Sequence, residues 1–274
     1  MKSFKLTVVA ALLLTSISAA HAHRQWVVPS STQVEGKEAW VTIDVAVSEN
    51  VFDIDTNALK LDGLSINGPD GTALAPEQTS SGKMRSSIDL KLAKPGTYRI
   101  ALVSESAMAS YKLNGETKRW RGNSADLKKE IPANAEELLV SRTLGRLETY
   151  VTAGKPNSTV VKSSGVGLEL LPLSHPNDYL AGQSARFRFL LDGKPLPNLA
   201  VAIVPGGVRY RGVLKEVSVT TDGNGEFAVS WPMAQMYWIN ASYPPRVQVP
   251  EGQPRPAPPA LRYNYGGTFE VFPQ

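Results

Sequence analysis

Histidine is the residue type whose placement raises a chemical question. The 274-residue chain holds three, His21, His23 and His175, and no cysteine. Two of them fall in SAAHAHRQWVV (18–28), where a secretory leader pattern ends. Met1, Lys2 and Lys5 make a basic start, Leu6 to Leu14 an apolar run, and Ala20-His21-Ala22 an A-x-A cleavage point. The run is too short to span a bilayer, which takes about 20 apolar residues. No later stretch approaches that length, so export in soluble form is expected.

Cleavage after Ala22 makes His23 the first residue, with a free α-amine. Such amines titrate near about 7.7–8.0, low enough for a metal to displace the proton at neutral pH. Amine nitrogen and Nδ1 of one histidine close a six-membered chelate ring. With His175 as a third nitrogen the result is a T-shaped histidine brace, and planar or tetragonal nitrogen sets favour Cu(II) or Ni(II). Cleavage after Ala20 instead leaves His21-Ala22-His23. A histidine in third position, behind an amine and two amides, is a square-planar chelate for the same two ions. The structural alternative is a frayed, solvated terminus.

The other candidates are weaker. His175 lies in LPLSHPNDYLAGQ (171–183), after a strand signal. It is either the third ligand, which sets the site at a domain junction, or part of a surface turn with Pro176 fixing φ and Asn177 or Asp178 capping. Asp53 and Asp55 in ENVFDIDTNAL (49–59) are oxygen ligands or hydrogen-bond partners for a histidine, or solvated loop acids. TDGNGEF (221–227) lacks the third acidic position and the distal bidentate glutamate of a calcium loop, so a β-hairpin turn is expected. Arg209, Tyr210 and Arg211 in PGGVRYRG (205–212) suit an anion or an exposed hairpin. Trp26 is expected to anchor the first strand. No phosphate loop, dinucleotide fingerprint or nucleophile elbow accompanies these residues, so no enzymatic activity is expected.

The elements that must position these residues are strands. AWVTIDVAV (39–47), SIDLKLA (87–93), TYRIALV (97–103), ARFRFLL (185–191) and EFAVSW (226–231) alternate or are short and β-rich, with glycine, proline and aspartate turns between them. NSADLKKE (123–130) is the one helix candidate, with Asn123 or Ser124 as N-cap. The pattern predicts an all-β protein of two immunoglobulin-like β-sandwich domains in tandem, 23–155 and 165–274, after a leader over 1–22. An internal echo supports two sandwiches. Tyr98 and Tyr237 each follow a turn at the start of a strand, where sandwich folds place a corner-bracing hydroxyl. A proline-rich stretch (242–265) precedes the last strand, GGTFEVF (266–272), and is expected to be a stiff loop between the two final strands.

Composition narrows the partners. Removing 1–22 takes two lysines from 29 basic residues, leaving 27 against 25 acidic ones, a net of +2. The basic residues are scattered, which gives no electrostatic reason for nucleic-acid binding. Without cysteine there are no disulfides, thiolate ligands or thiol nucleophiles.

AHAHRQWVVPSS, GPDG with KPGTYRIAL, and GLELLPLSHPNDYLAGQSARFRFLLDGKPLPNLAVAIVPGG resemble a bacterial periplasmic family of uncharacterised domains. Its members are associated with nickel or cobalt uptake and occur beside TonB-dependent outer-membrane receptors. The resemblance implies paired immunoglobulin-like sandwiches and periplasmic metal handling. His23 and Trp26 match its mature start, and His175 matches the members with HPND. The expected function is a periplasmic protein that binds a divalent transition metal (nickel, cobalt or copper) and hands it on during uptake or trafficking. Its expected partners are the metal ion and a TonB-dependent receptor or metal transporter. A copper monooxygenase and a metal-free adaptor for an outer-membrane receptor are the alternatives.

Overall fold

The structure, a computed structural model, describes residues 23–36, 38–245, 249, 253 and 256–274. The expected leader and both cleavage points lie outside them. The first half supplies β1 (Arg24–Pro29), β2 (Gln33–Val34), β3 (Trp40–Ser48), β4 (Asn57–Ala58), β5 (Leu64–Asn67), β6 (Ala73–Leu74), β7 (Gln78–Ser81) and β8 (Ser86–Lys91). Two 18-residue strands follow, β9 (Gly96–Leu113) and β11 (Glu136–Ala153), with β10 (Glu116–Asn123) between them. The second half adds β12 (Leu168–Pro172), β13 (Ser184–Leu191), β14 (Lys194–Pro195), β15 (Ala200–Pro205), β16 (Val217–Thr220), β17 (Glu226–Ser230), β18 (Gln235–Tyr243) and β19 (Leu261–Val271).

These strands form three sheets. One runs β1-β3-β8-β7, with β4 on β3. Another runs β12-β13-β14, with β17 on β13. Between them lies a long sheet in the order β16-β15-β18-β19-β11-β9-β5-β6, with β10 on β9 and β2 on β11. The two immunoglobulin-like sandwiches therefore share a sheet.

Strand β11 makes that sharing possible. It pairs antiparallel with β9 along its length and parallel with β19 from Arg142↔Leu261 to Thr149↔Thr268. Successive side chains in a strand point to opposite faces. Leu147, Val151 and Ala153 enter the first core, beside Ile43, Val45, Ile88, Leu90 and Ile100. Tyr150 enters the second, beside Phe187, Phe189, Trp231 and Phe269. A strand buried on both faces by different cores ties the halves into one unit. A third cluster seals the junction, where Trp26, Ala46 and Val51 meet Val204, Val208 and Trp238.

Each half is braced at the predicted corner. The Tyr98 hydroxyl donates to the Lys94 carbonyl at 2.7 Å and accepts the Lys94 N–H at 2.9 Å. Tyr237 does the same with Met233, at 2.9 and 3.3 Å. The helix candidate forms as one 3-10 turn (Ser124–Asp126) leading into α1 (Leu127–Glu130). Asn123 is its N-cap, its side-chain oxygen accepting the Ala125 N–H at 2.9 Å.

Two local expectations are corrected. TDGNGE does not close a hairpin, because β16 pairs with β15 while β17 pairs with β13 in another sheet. Asp222 turns the chain between sheets by accepting the N–H groups of Asn224 and Glu226 at 2.9 and 2.8 Å. PGGVRYRG is a one-turn helix, α2 (Val208–Arg211), between Gly207 at φ 72° and Gly212 at φ 73°. Left-handed backbone of that kind favours glycine.

Candidate functional site

His23 is exposed and stands immediately before β1. Register sets its neighbours: Arg24 lies opposite Ser48, so His23 faces the start of the 49–55 loop. The first strand cannot fray from its sheet cheaply. Trp26 is 1 % exposed, donates its indole N–H to Ser48 Oγ at 2.7 Å, and meets Phe52 edge-on at 5.9 Å. Sequence reasoning expected this anchor.

Arg24 joins three segments behind His23. Its guanidinium donates to the Glu49 carbonyl at 2.7 Å and lies 3.7 Å from the Glu216 carboxylate. The loop holding Asp53 and Asp55 thereby meets the loop after α2. Phe52, at φ 69°, presses onto Gly206, where a Cβ would sit 3.2 Å from its ring and 3.0 Å from the Met236 carbonyl oxygen. A side chain there would have to push those neighbours back by a few tenths of an ångström. Asp55 accepts from the Glu49 N–H at 3.1 Å and from the Thr56 hydroxyl at 2.8 Å. Asp53 is half-buried and Asp55 exposed. Histidine, aspartates and Glu216 thus border one end of the junction. Among the described residues, no three side chains of His, Cys, Asp or Glu form a group that could hold a metal ion. A metal here would depend on the backbone amine that cleavage creates.

Nothing in the sequence pointed to Glu216 or to the stapling role of Arg24, because both depend on which loops the shared sheet brings together. For Arg211 the sequence left an anion site or an exposed hairpin open. The structure spends its guanidinium on main-chain carbonyls instead, donating to Gly206, Pro205, Leu214 and Val213. Tyr210 is 92 % exposed beside it.

His175 is not part of this end, which corrects its reading as a third ligand. Its Nδ1 accepts the Asn177 N–H at 3.2 Å. That acceptor role assigns the proton to Nε2, which lies 3.0 Å from Thr97 Oγ1 and 3.1 Å from the Asn157 carbonyl oxygen. Both ring nitrogens are engaged within the protein. The bonds continue from Thr97 to Thr152 at 2.9 Å, from Thr152 to Asn177 at 2.6 Å, and from Asn177 to the Thr32 carbonyl at 3.0 Å. Thr32 in turn donates to Glu270 through N–H and hydroxyl, at 3.0 and 2.6 Å. SHPND is therefore the expected turn, closed by the Asp178 N–H on the His175 carbonyl at 3.0 Å, and it serves as a polar clasp between the sandwiches, with Asn177 only 5 % exposed. The clasp sits at the Thr32 end of the first strand, and His23 at the other. Six strand residues at about 3.3 Å each put roughly 20 Å between those ends.

A second polar cluster lies where β11 meets β19 and β12. Glu148 is 2 % exposed and accepts from the Tyr265 hydroxyl at 2.8 Å. Burial pushes its carboxyl above the ordinary glutamate range, against the pull of Arg146 at 3.8 Å. Burial would push Glu169 up as well, but hydrogen bonds from Ser163 and Ser164, with Arg146, together hold it below that range. This cluster closes the linker over the junction rather than opening to a ligand.

The arrangement defines a class: an all-β protein of two immunoglobulin-like sandwiches joined through one sheet. Residues 20–244 match the family described as a domain of unknown function (DUF4198), and the chain belongs to that family. Among solved structures, the D0-D1 domain of Intimin is similar at 15 % identity and a TM-score of 0.23, over 90 % of this chain and 97 % of that one. An ICAM-5 D1-D4 ectodomain fragment is similar at 10 % identity and a TM-score of 0.21, over 91 % of this chain and 51 % of that one. No curated protein shows significant similarity to the chain. Among the described residues, no helix is long and apolar enough to cross a membrane.

Proposed function

We propose that the mature protein is exported to the periplasm and carries a divalent transition metal, nickel, cobalt or copper, during uptake or trafficking. The metal is cargo. His23 would hold it through the amine that leader cleavage frees and through Nδ1, with Asp53 and Asp55 of the 49–55 loop as oxygen donors. One observation carries this reading: the chain is pinned at Arg24 and Trp26 while His23, one residue earlier, is exposed beside that acidic loop. A chelating terminus fixed one residue behind loses little freedom on closing its ring. His175 is left out of the ligand set because both of its ring nitrogens are engaged.

The test begins with N-terminal sequencing of the exported protein. Calorimetric titration with Cu(II), Ni(II), Co(II) and Zn(II) follows. A chain starting at His23 or His21 should bind one equivalent of Cu(II) or Ni(II). N-terminal acetylation of that chain should abolish the binding, since it removes the amine's basic nitrogen and leaves every side chain in place. His175→Ala should bind metal as the native chain does while losing about 1–3 kcal/mol of stability from the clasp. Equal affinity in the acetylated chain removes the amine from the site and overturns the reading.

A further inference from the structure

The long strands overrun the sandwich that covers them. Tyr98, Ile100 and Leu102 of β9 face the first core. Alternation puts Ser104, Ser106, Met108 and Ser110 on the same face farther along. Register adds the neighbours: Arg121 and Ser141 lie opposite Met108, and Arg119 and Leu139 lie opposite Ser110. Two rows result across three strands, Arg121–Met108–Ser141 and Arg119–Ser110–Leu139. No layer covers them, for Met108 is 57 % and Leu139 62 % exposed.

The charge in these two rows is one-sided. Arg119 and Arg121 are exposed, and among the described residues neither has an ion-pair partner. Of the acids on this overrunning arm, Glu105 is engaged by Arg142, Glu116 by Lys118, Glu137 by Lys112, Asp126 by Lys129 and Glu130 by the Trp120 indole, while Glu136 lies one row beyond, opposite Lys112. The two rows contain no acid. On the opposite face Ala107 and Ala109 are buried, so only one side is open. Two arginines, an unbranched methionine and a leucine on an uncovered sheet face match a surface that is acidic with an apolar centre. Alternate residues of one strand are about 6.7 Å apart, so Arg119 and Arg121 match carboxylates two residues apart on an extended chain.

We infer that this face of the arm docks an acidic, extended polypeptide segment, with Arg119 and Arg121 holding its carboxylates and Met108 and Leu139 taking an apolar side chain between them. The face lies on other strands than His23, and its variants leave the chelating terminus intact.

The test uses the full mature chain and a fluorescent peptide with Glu, Glu and Leu at successive alternate positions and Ser between them, so that all three face one side of an extended chain, followed by anisotropy. The same peptide with Lys for Glu is the control. The Glu peptide should bind, the Lys peptide should not, and affinity should fall as salt rises from about 50 to about 300 mM. Arg119→Glu/Arg121→Glu should weaken binding about tenfold or more, at about 1.4 kcal/mol per factor of ten. Met108→Ser/Leu139→Ser should weaken it less, and both double variants should keep the native melting temperature. Absence of Glu-peptide binding overturns the inference. So does equal binding of both peptides, or binding indifferent to the charge reversal. Sedimentation with anionic but not neutral vesicles, lost in the charge reversal and without peptide binding, assigns the face to a lipid surface and overturns it too.

Discussion

The two sandwiches each have a tyrosine corner and hold one sheet in common, yet their cores differ in kind. The first is aliphatic, built on Val41, Ile43, Val45, Ile88, Leu90, Ile100 and Leu102 with Tyr98 at its corner. The second is aromatic: the Phe187 ring lies 5.5 Å from Tyr179, Phe227 and Phe269 and 6.2 Å from Trp231. Stiff β-branched side chains fill one half and large rings the other, and both give the same architecture. The alternation pattern and the corner are what the halves hold in common, so these specify the sandwich. Core identity sets how tightly it closes.

The largest effects should come from breaking either core and watching the other. Phe187→Ala should cost about 3–5 kcal/mol and Ile88→Ala about 2–5, as both side chains are fully buried and leave cavities. The informative result is cooperativity. Because β11 lends Leu147 and Val151 to one core and Tyr150 to the other, both variants should unfold in a single transition. In urea, near-ultraviolet dichroism, dominated by the aromatic half, should then coincide with far-ultraviolet dichroism even for Ile88→Ala. Two separated transitions would show the sandwiches to be independent despite the shared strand.

A smaller effect should arise from the carboxyl buried between the halves. Burial raises the Glu148 pKa above its ordinary value of 4.5, so the folded state holds its proton where the unfolded chain has released it. The resulting stability is fully present below about 4.5 and declines as pH climbs through the raised value. Asp70 in the first half behaves oppositely. The hydrogen bond from Lys94, followed by those from Thr72, holds its pKa below the ordinary aspartate range, so its contribution is lost as pH falls. Glu148→Gln keeps an acceptor for Tyr265 and removes the charge. Its urea midpoint should match that of the native chain at pH 4 and exceed it increasingly toward pH 8. Parallel midpoint curves would place the Glu148 proton outside the folding equilibrium.

Patterns confined to one strand or turn were legible in the sequence. Alternation located β3, β8, β13 and β17, and Asn123 announced the capped turn, since each signal lies within a few residues. Both tyrosine corners were legible for the same reason, as each hydroxyl reaches back only four residues. Pairing over long distance was not. Nothing in LETYVTA says that Tyr150 and Val151 serve different cores, because alternation looks identical whether one face or both are buried. His175 shows the same limit at the site: its sequence neighbours suggest a turn, whereas its partners, Thr97 and Asn157, come from β9 and the linker. His23 could be singled out because its chemistry depends on chain position, but the Arg24–Glu216 contact behind it depends on the fold.

The finest distinction between the halves concerns the corners themselves. Tyr98 meets the Lys94 carbonyl and N–H at 2.7 and 2.9 Å, whereas Tyr237 meets Met233 at 2.9 and 3.3 Å. Removing either hydroxyl leaves the ring in place and the turn's main-chain groups without a partner. Tyr98→Phe should therefore cost about 1–1.5 kcal/mol and Tyr237→Phe about 0.5–1, because hydrogen bonds weaken with length. Tyr237 also receives the Gln235 amide at 3.4 Å, a contact too long to close that gap. Chemical-denaturation midpoints of the two single variants and their double give the ranking. Because the corners sit in different halves of one cooperative unit, with no shared partner, the double should equal the sum within about 0.5 kcal/mol. A reversed ranking would mean that packing around the ring, rather than the bond to the turn, is what the corner tyrosine contributes.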